Sequence, residues 1–110
     1  LTEQKFFYLA ITFVSIADAS TTLLYANSSE YRAGIITGKS SSVRVDFENT
    51  GNATVTIKIG HSMPLPLKPG ESTYYSPLDD NSTYYLSLSS SGRNVPVRVY
   101  VSNGYIERGW

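Results

Sequence analysis

LTEQKFFYLAITFVSIADASTTLLYA, residues 1–26, is the stretch that decides the predicted fold. From Phe6 to Ala26, its only charged side chain is that of Asp18. A helix drawn through this segment is apolar around most of its circumference, so it needs apolar surroundings on every side. Its length, about 31 Å, would cross the hydrocarbon core of a bilayer. The sequence therefore predicts a long N-terminal hydrophobic helix with the packing residues Phe6, Phe7, Leu9, Ile11, Phe13, Val14, Ile16, Leu23 and Leu24.

The chain beyond residue 35 alternates apolar and polar residues with the period of two that is typical of strands. In SSVRVDFEN, residues 41–49, Val43, Val45 and Phe47 alternate with charged side chains. The Asn-Gly pair at 103–104 predicts a tight hairpin that leads into a return strand at 105–110. A proline-rich connection is predicted at 63–72, and further strands at 53–60, 73–77, 83–90 and 95–102.

Together these regions predict an α+β fold of two parts. Residues 1–33 are expected to form a polymerisation helix, and residues 34–110 a small antiparallel, immunoglobulin-like β-sandwich head. A sandwich of this size has a marginal core and cannot also cover an apolar helix. Left in water, the helix would expose on the order of 1,500 Å² of apolar surface. We therefore expect it to be buried in lipid or against other copies of the chain.

AGIITGKS, residues 33–40, ends like a phosphate-binding loop. The strict motif starts with glycine where this chain has Ala33, and it needs a strand before the loop and a helix after it. Here the preceding residues 23–32 are not predicted as a strand, and a strand is predicted to follow. We interpret the segment as a turn in which Gly34 and Gly38 supply permissive backbone and Lys39 is solvated.

The composition excludes several classes of function. Nine basic and nine acidic residues give a net charge of zero, which does not indicate a nucleic-acid partner. The chain has no cysteine for disulfides or thiolate metal sites, and its single histidine has no companions for a metal site. The residues His61, Ser62, Asp79 and Asp80 form no recognisable catalytic constellation. We expect no enzymatic activity, cofactor, metal or nucleotide.

The chain resembles archaeal type IV pilins and their relatives, the archaellins. The resemblance rests on Leu1 followed by FFYLAITFVSIADASTTLLYA (6–26), and on VRVDFENTGNATVTIKI (43–59) and LKPGES (67–72). It implies a leader trimmed before Leu1, helices that leave the membrane to bundle as the core of a filament, and outer heads that carry N-linked sugars. Glu3 is the nearest candidate for the glutamate that bacterial pilins keep in their first helical turns.

Two groups of residues are candidate sites under this interpretation. A carboxylate within an apolar helix should be paired or protonated. Lys5 or the free amine of a neighbouring subunit is a candidate partner for Asp18; the alternative is that Asp18 faces a head or a wet groove near the bundle surface. Three Asn-X-Ser/Thr sequons, at Asn27, Asn52 and Asn81, are candidates for N-glycosylation in a secreted chain.

The function expected from these observations is that of a structural subunit of an extracellular filament, a homopolymer that serves adhesion or surface attachment and is held in the membrane before assembly. A monomeric β-sandwich domain, anchored at the cell surface by the same helix, is the alternative. A nucleotide-binding enzyme is a third possibility and depends on residues 33–40 alone.

Overall fold

The computed structural model describes residues 19–110, which form two packed antiparallel β-sheets. The described residues contain nine strands: β1 Ser20–Ala26, β2 Tyr31–Thr37, β3 Val43–Asn49, β4 Val55–Ile59, β5 Leu65–Leu67, β6 Ser72–Leu78, β7 Thr83–Ser90, β8 Val95–Val101 and β9 Gly104–Arg108.

The α+β prediction is wrong, because residues 19–110 are all-β and contain no helix. The end of the predicted helix, residues 20–26, is strand β1, which pairs with β8 so that Leu24 lies opposite Val97. Leu24 is buried in the core, whereas the adjacent Leu23 is exposed. The sequence predicts a helix here because β1 carries apolar residues on both of its faces. Its sequence therefore lacks the apolar-polar alternation by which a strand is recognised.

The other predicted packing residues of the helix, from Phe6 to Ile16, lie outside the described residues, as do Lys5 and Asp18. The predicted boundary between residues 33 and 34 falls within β2. Among residues 19–110, no helix is long and apolar enough to cross a membrane.

The strand order identifies a jelly roll rather than the predicted immunoglobulin-like arrangement. The four-stranded sheet has the order β1-β8-β3-β6, and the five-stranded sheet the order β5-β4-β7-β2-β9. Strand β1 pairs with β8, β2 with β7, β3 with β6 and β4 with β5. The chain thus folds as one long hairpin whose successive strand pairs belong alternately to the two sheets. This pairing pattern is that of a jelly roll. Strand β9 extends the five-stranded sheet by pairing with β2.

The predicted hairpin at Asn103-Gly104 is also wrong, because the strands on its two sides belong to different sheets. Val101 ends β8 opposite Val45, and Gly104 starts β9 opposite Thr37. Gly104 has a φ of 147°, and a Cβ placed on it would lie 2.1 Å from the carbonyl oxygen of Ile36. Only glycine fits this corner, where the chain crosses from one sheet to the other.

The core lies between the two sheets and is built from the inward positions of the alternating strands. Its largest fully buried side chain is that of Phe47, whose ring meets the Tyr75 ring edge-on with centroids 5.8 Å apart. The strands predicted at 41–49, 53–60, 73–77, 83–90, 95–102 and 105–110 are confirmed within a few residues, and the proline-rich connection contains the short strand β5.

Candidate functional site

The strongest candidate site is a patch on the outer surface of the four-stranded sheet, which we call the polar face. Because side chains alternate along a strand, the valines of β3 and β8 that fill the core force their neighbours outward. The polar face borders a shallow cavity of about 400 Å³. The polar face consists of eight residues that line this cavity: Thr21, Arg44, Asp46, Glu48, Ser72, Tyr74, Arg98 and Tyr100.

Strand pairing arranges this face in two rows. In the first row, Asp46 lies between Tyr100 on β8 and Tyr74 on β6, and Thr21 on β1 lies beyond Tyr100. The two tyrosines are therefore two strand spacings apart, or about 10 Å. Tyr74 is 56% exposed and Tyr100 is 38% exposed, and the Arg44 guanidinium lies over one face of the Tyr74 ring. The result is a carboxylate flanked by two accessible aromatic side chains.

In the second row, Glu48 lies between Arg98 on β8 and Ser72 on β6. The Arg98 guanidinium donates to the Glu48 carboxylate, with Nε 3.2 Å from Oε1. Both side chains stay accessible to solvent, at 55% for Arg98 and 38% for Glu48. This cross-strand pair sets one positive charge directly against one negative charge.

Charges in the first row are paired in the same way. The Nε of Arg44 donates to Oδ1 of Asp46 at 2.6 Å, and the guanidinium lies 3.8 Å from the centre of the Tyr74 ring. The hydrogen bond to Asp46 is the main cause of a raised pKa at Arg44. Two arginines and two carboxylates thus leave the polar face without net charge, yet rich in hydrogen-bond donors and acceptors.

A second cavity, of about 690 Å³, is lined by residues of β4, β6 and β7 and of the turn that follows β4. Tyr75 lines it, and burial raises the pKa of this phenol. Tyr84 also lines it, and its hydroxyl accepts a hydrogen bond from the Asp79 backbone N–H at 2.8 Å. Its walls are mainly apolar and aromatic, and they do not combine paired charges with exposed rings as the polar face does.

The residues considered for catalysis do not converge. His61 and Ser62 follow β4 and border the second cavity, but Asp79 and Asp80 are exposed in the turn between β6 and β7 and do not line it. The Ser62 hydroxyl accepts a hydrogen bond from the Ile59 N–H at 3.2 Å, which is a turn-stabilising role. Within residues 19–110, no group of three His, Cys, Asp or Glu side chains could hold a metal ion.

AGIITGKS is not a phosphate-binding loop in this fold. Its first five residues belong to β2, contrary to the prediction of a turn, and the turn begins only at Gly38. Lys39 is exposed, as predicted, and the segment after the turn is β3 rather than a helix. Gly34 lies beneath the indole of Trp110, which a Cβ would approach to 2.1 Å.

The three sequons lie at different kinds of surface position. Asn52 is exposed in the β3–β4 loop, and Asn81 is exposed in the β6–β7 turn with a φ of 46°. Asn27 is half-buried after β1, and its Oδ1 accepts a hydrogen bond from the Asn94 N–H at 2.7 Å. Glycosylation of all three remains a prediction, and only Asn27 has its side-chain amide tied into the fold.

No family model matches this sequence, and no curated protein matches it. Among solved structures, a de novo designed double-stranded β-helix determined by solution NMR is similar, with 17% identity and a TM-score of 0.48. The match covers 79% of this chain and 97% of the designed one. The strand order by itself defines the class of residues 19–110, which is an all-β jelly-roll domain.

Proposed function

We propose that this chain is a non-enzymatic extracellular domain that binds an uncharged oligosaccharide on its polar face and so attaches to a glycan-covered surface. The observation that carries the proposal is the position of Asp46 between two exposed tyrosines, Tyr74 and Tyr100, on neighbouring strands of one sheet.

The chemistry of this face fits a sugar better than other ligands. The flat C–H faces of a sugar ring pack against exposed aromatic rings, and tyrosine adds a hydroxyl at its tip. Sugar hydroxyls both donate and accept, which suits a surface where arginines and carboxylates stand side by side. Because these charges cancel, neither an anionic nor a cationic ligand is favoured. The spacing of about 10 Å between the tyrosine strands suits a ligand of at least two sugar rings.

Titration of the full chain with a panel of neutral and acidic oligosaccharides, followed by NMR, tests this proposal. We expect at least one neutral oligosaccharide to shift the amide signals of β3, β6 and β8. Replacing Tyr74 or Tyr100 with alanine should weaken binding by about tenfold each. Tyr105→Ala is the matched control, because Tyr105 is 52% exposed but lies in the other sheet.

Two results would refute the proposal. One is the absence of shifts on the polar face with every neutral oligosaccharide in the panel. The other is equal loss of affinity in the Tyr105→Ala control, which would place binding elsewhere.

A second candidate function is that of a filament subunit which assembles through the edge of β1. Three of the four edge strands carry protective features: β5 has three residues and contains Pro66, β6 contains Pro77, and β9 ends in Glu107 and Arg108. Strand β1 contains no proline, glycine or charged residue, and no described strand pairs with its outer edge. Its Leu23 carbonyl accepts a hydrogen bond from the Arg108 guanidinium at 3.2 Å, which is a side-chain contact and not strand pairing. Such an edge favours pairing with another copy of the chain.

Electron microscopy of the purified full chain tests this second function. Filaments are expected for the unchanged chain and should be lost in Leu23→Lys, because a charged side chain on an edge strand discourages pairing. Met63→Lys, at an exposed loop position, is the control and should still assemble. Dispersed particles for the unchanged chain, or filaments that survive Leu23→Lys, would exclude assembly through β1.

A further inference from the structure

We propose that the Ala19–Ser20 bond is a secretory processing site, so that the exported protein begins at Ser20. Hydrolysis there adds water across the amide: Ala19 leaves as a carboxylate and Ser20 gains a free amine. The proposal does not depend on a ligand at the polar face, and it differs from the trimming before Leu1 that the pilin resemblance implies.

The first observation is the length of the charge-free run. Between Lys5 and Asp18 lie twelve residues without a charge, FFYLAITFVSIA. A membrane-spanning helix needs about 20 apolar residues, whereas the apolar region of a secretory signal has about 7–15. Once residues 20–26 are assigned to β1, the remaining run has the length of a signal and is too short for a span.

The second observation is the sequence that follows the run. Ala17-Asp18-Ala19 matches the small-residue pattern, alanine-any-alanine, that signal peptidases recognise immediately before the cleaved bond. On the other side of the run stands Lys5, the positive charge expected before the apolar region, with Glu3 two residues earlier. The three parts of a signal occur in the required order.

The third observation comes from the fold and is independent of the motif. Ser20 is the first residue of β1, where it pairs with Val101, and its hydroxyl donates to the Gly104 carbonyl at 2.8 Å. Ala19 is exposed and lies outside the strand. Within residues 19–110, the buried hydrophobic residues lie between Leu24 and Val101, so cleavage before Ser20 leaves all of them in the product. Cleavage would therefore make the first residue of β1 the new N-terminus.

The test is expression of the full chain, preceded by an initiator methionine, in a Gram-negative bacterium. Intact mass and N-terminal sequencing of the periplasmic product should give Ser20 as the first residue. Ala19→Tyr and Ala17→Leu should each accumulate uncut precursor, because a bulky side chain does not fit the small-residue positions. Ala10→Leu is the matched control within the apolar run and should be cut normally.

Three outcomes would overturn the proposal. The periplasmic protein would retain residues before Ser20, the unchanged chain would remain in the cytoplasm, or Ala19→Tyr would be cut as efficiently as the control. Binding of oligosaccharides by the product is a separate measurement, so failure of one proposal would not be mistaken for failure of the other.

Discussion

Asn49 shows how one buried polar residue holds the β3–β4 loop. Its side chain is fully buried at the end of β3. The amide nitrogen donates to the carbonyl oxygens of Ala53 and Leu67, both at 2.8 Å, and the amide oxygen accepts from the Gly51 N–H at 2.9 Å. One asparagine therefore satisfies three backbone groups that would otherwise be unpaired away from water.

Asn49→Ala should lower the free energy of unfolding by about 2–4 kcal/mol, because it leaves three polar backbone groups without partners. Asn52→Ala, in the same loop but exposed, should change it by no more than about 0.5 kcal/mol. Urea denaturation of both variants checks the prediction, and equal stability of the two would contradict this role for Asn49.

Glu30 is the centre of a second polar cluster, on the outer side of the five-stranded sheet. Hydrogen bonds from Ser87, Arg32 and Tyr85 lower the pKa of this carboxyl, with Ser87 the largest cause. The Arg32 Nε is 3.1 Å from Oε1, and the Tyr85 hydroxyl is 3.2 Å from Oε2. Because the pKa is lower in the folded state, the contribution to stability is present above the ordinary pKa of about 4.3 and is lost as the pH falls through the folded value.

Ser87→Ala should therefore raise the pKa of Glu30 towards its ordinary value and make stability less dependent on pH below about pH 5. NMR titration of the Glu30 carboxyl group measures the pKa directly. Ser89→Ala, two residues along the same strand, serves as the control. If the Glu30 pKa were the same in Ser87→Ala as in the unchanged chain, this hydrogen bond would not be its main cause.

At the scale of elements, the sequence predicts a strand where one face is apolar and the other polar. Strands β3, β4 and β8 have this pattern, and their burial alternates as predicted. Strand β2 does not show this alternation of buried and exposed residues, since Ala33, Gly34 and Ile35 are all buried. Trp110 covers the outer side of Gly34, and a contact with a residue 76 positions away cannot be read from local periodicity.

The polar face was only partly predictable for a related reason. A strand at 73–77 requires one of Tyr74 and Tyr75 to point inward and the other outward. In the structure Tyr75 packs on Phe47 and Tyr74 is exposed. The charged alternation of β3 was predicted as well. Which strands lie beside β3 was not, because the neighbours of Asp46 are set by pairings with β6 and β8 that local patterns do not specify.

The two adjacent leucines of β1 give a direct mutational test of that strand. Leu24→Ala should destabilise the domain by about 2–4 kcal/mol, because it removes a core side chain that is 1% exposed. Leu23→Ala, at 41% exposure, should cost less than about 1 kcal/mol. Thermal or urea denaturation separates the variants. Similar losses at both positions would contradict the alternation of β1.

The jelly-roll winding has a consequence for the folding of the whole domain. Strand β1 must find β8 across most of the chain, since Ser20 pairs with Val101 and Leu24 with Val97. Bringing such distant segments together lowers the conformational entropy of the chain before packing contacts can compensate. Domains with many long-range strand pairs therefore fold slowly.

Stopped-flow refolding of the chain should therefore show a main phase in the range of about milliseconds to seconds at 25 °C. Leu24→Ala is useful as a companion variant, because the effect on folding and unfolding rates reports whether the β1–β8 pairing is formed in the transition state. A main phase faster than about one millisecond would disagree with the long-range pairing.

The most direct test is an NMR study of residues 20–26 in the full chain, because the pairing of this segment with β8 separates the all-β fold from the predicted helix. We expect extended-backbone chemical shifts and cross-strand contacts from Thr22 to Val99 and from Leu24 to Val97. Helical shifts through residues 20–26, with contacts between residues three and four apart instead of contacts to β8, would contradict the all-β fold.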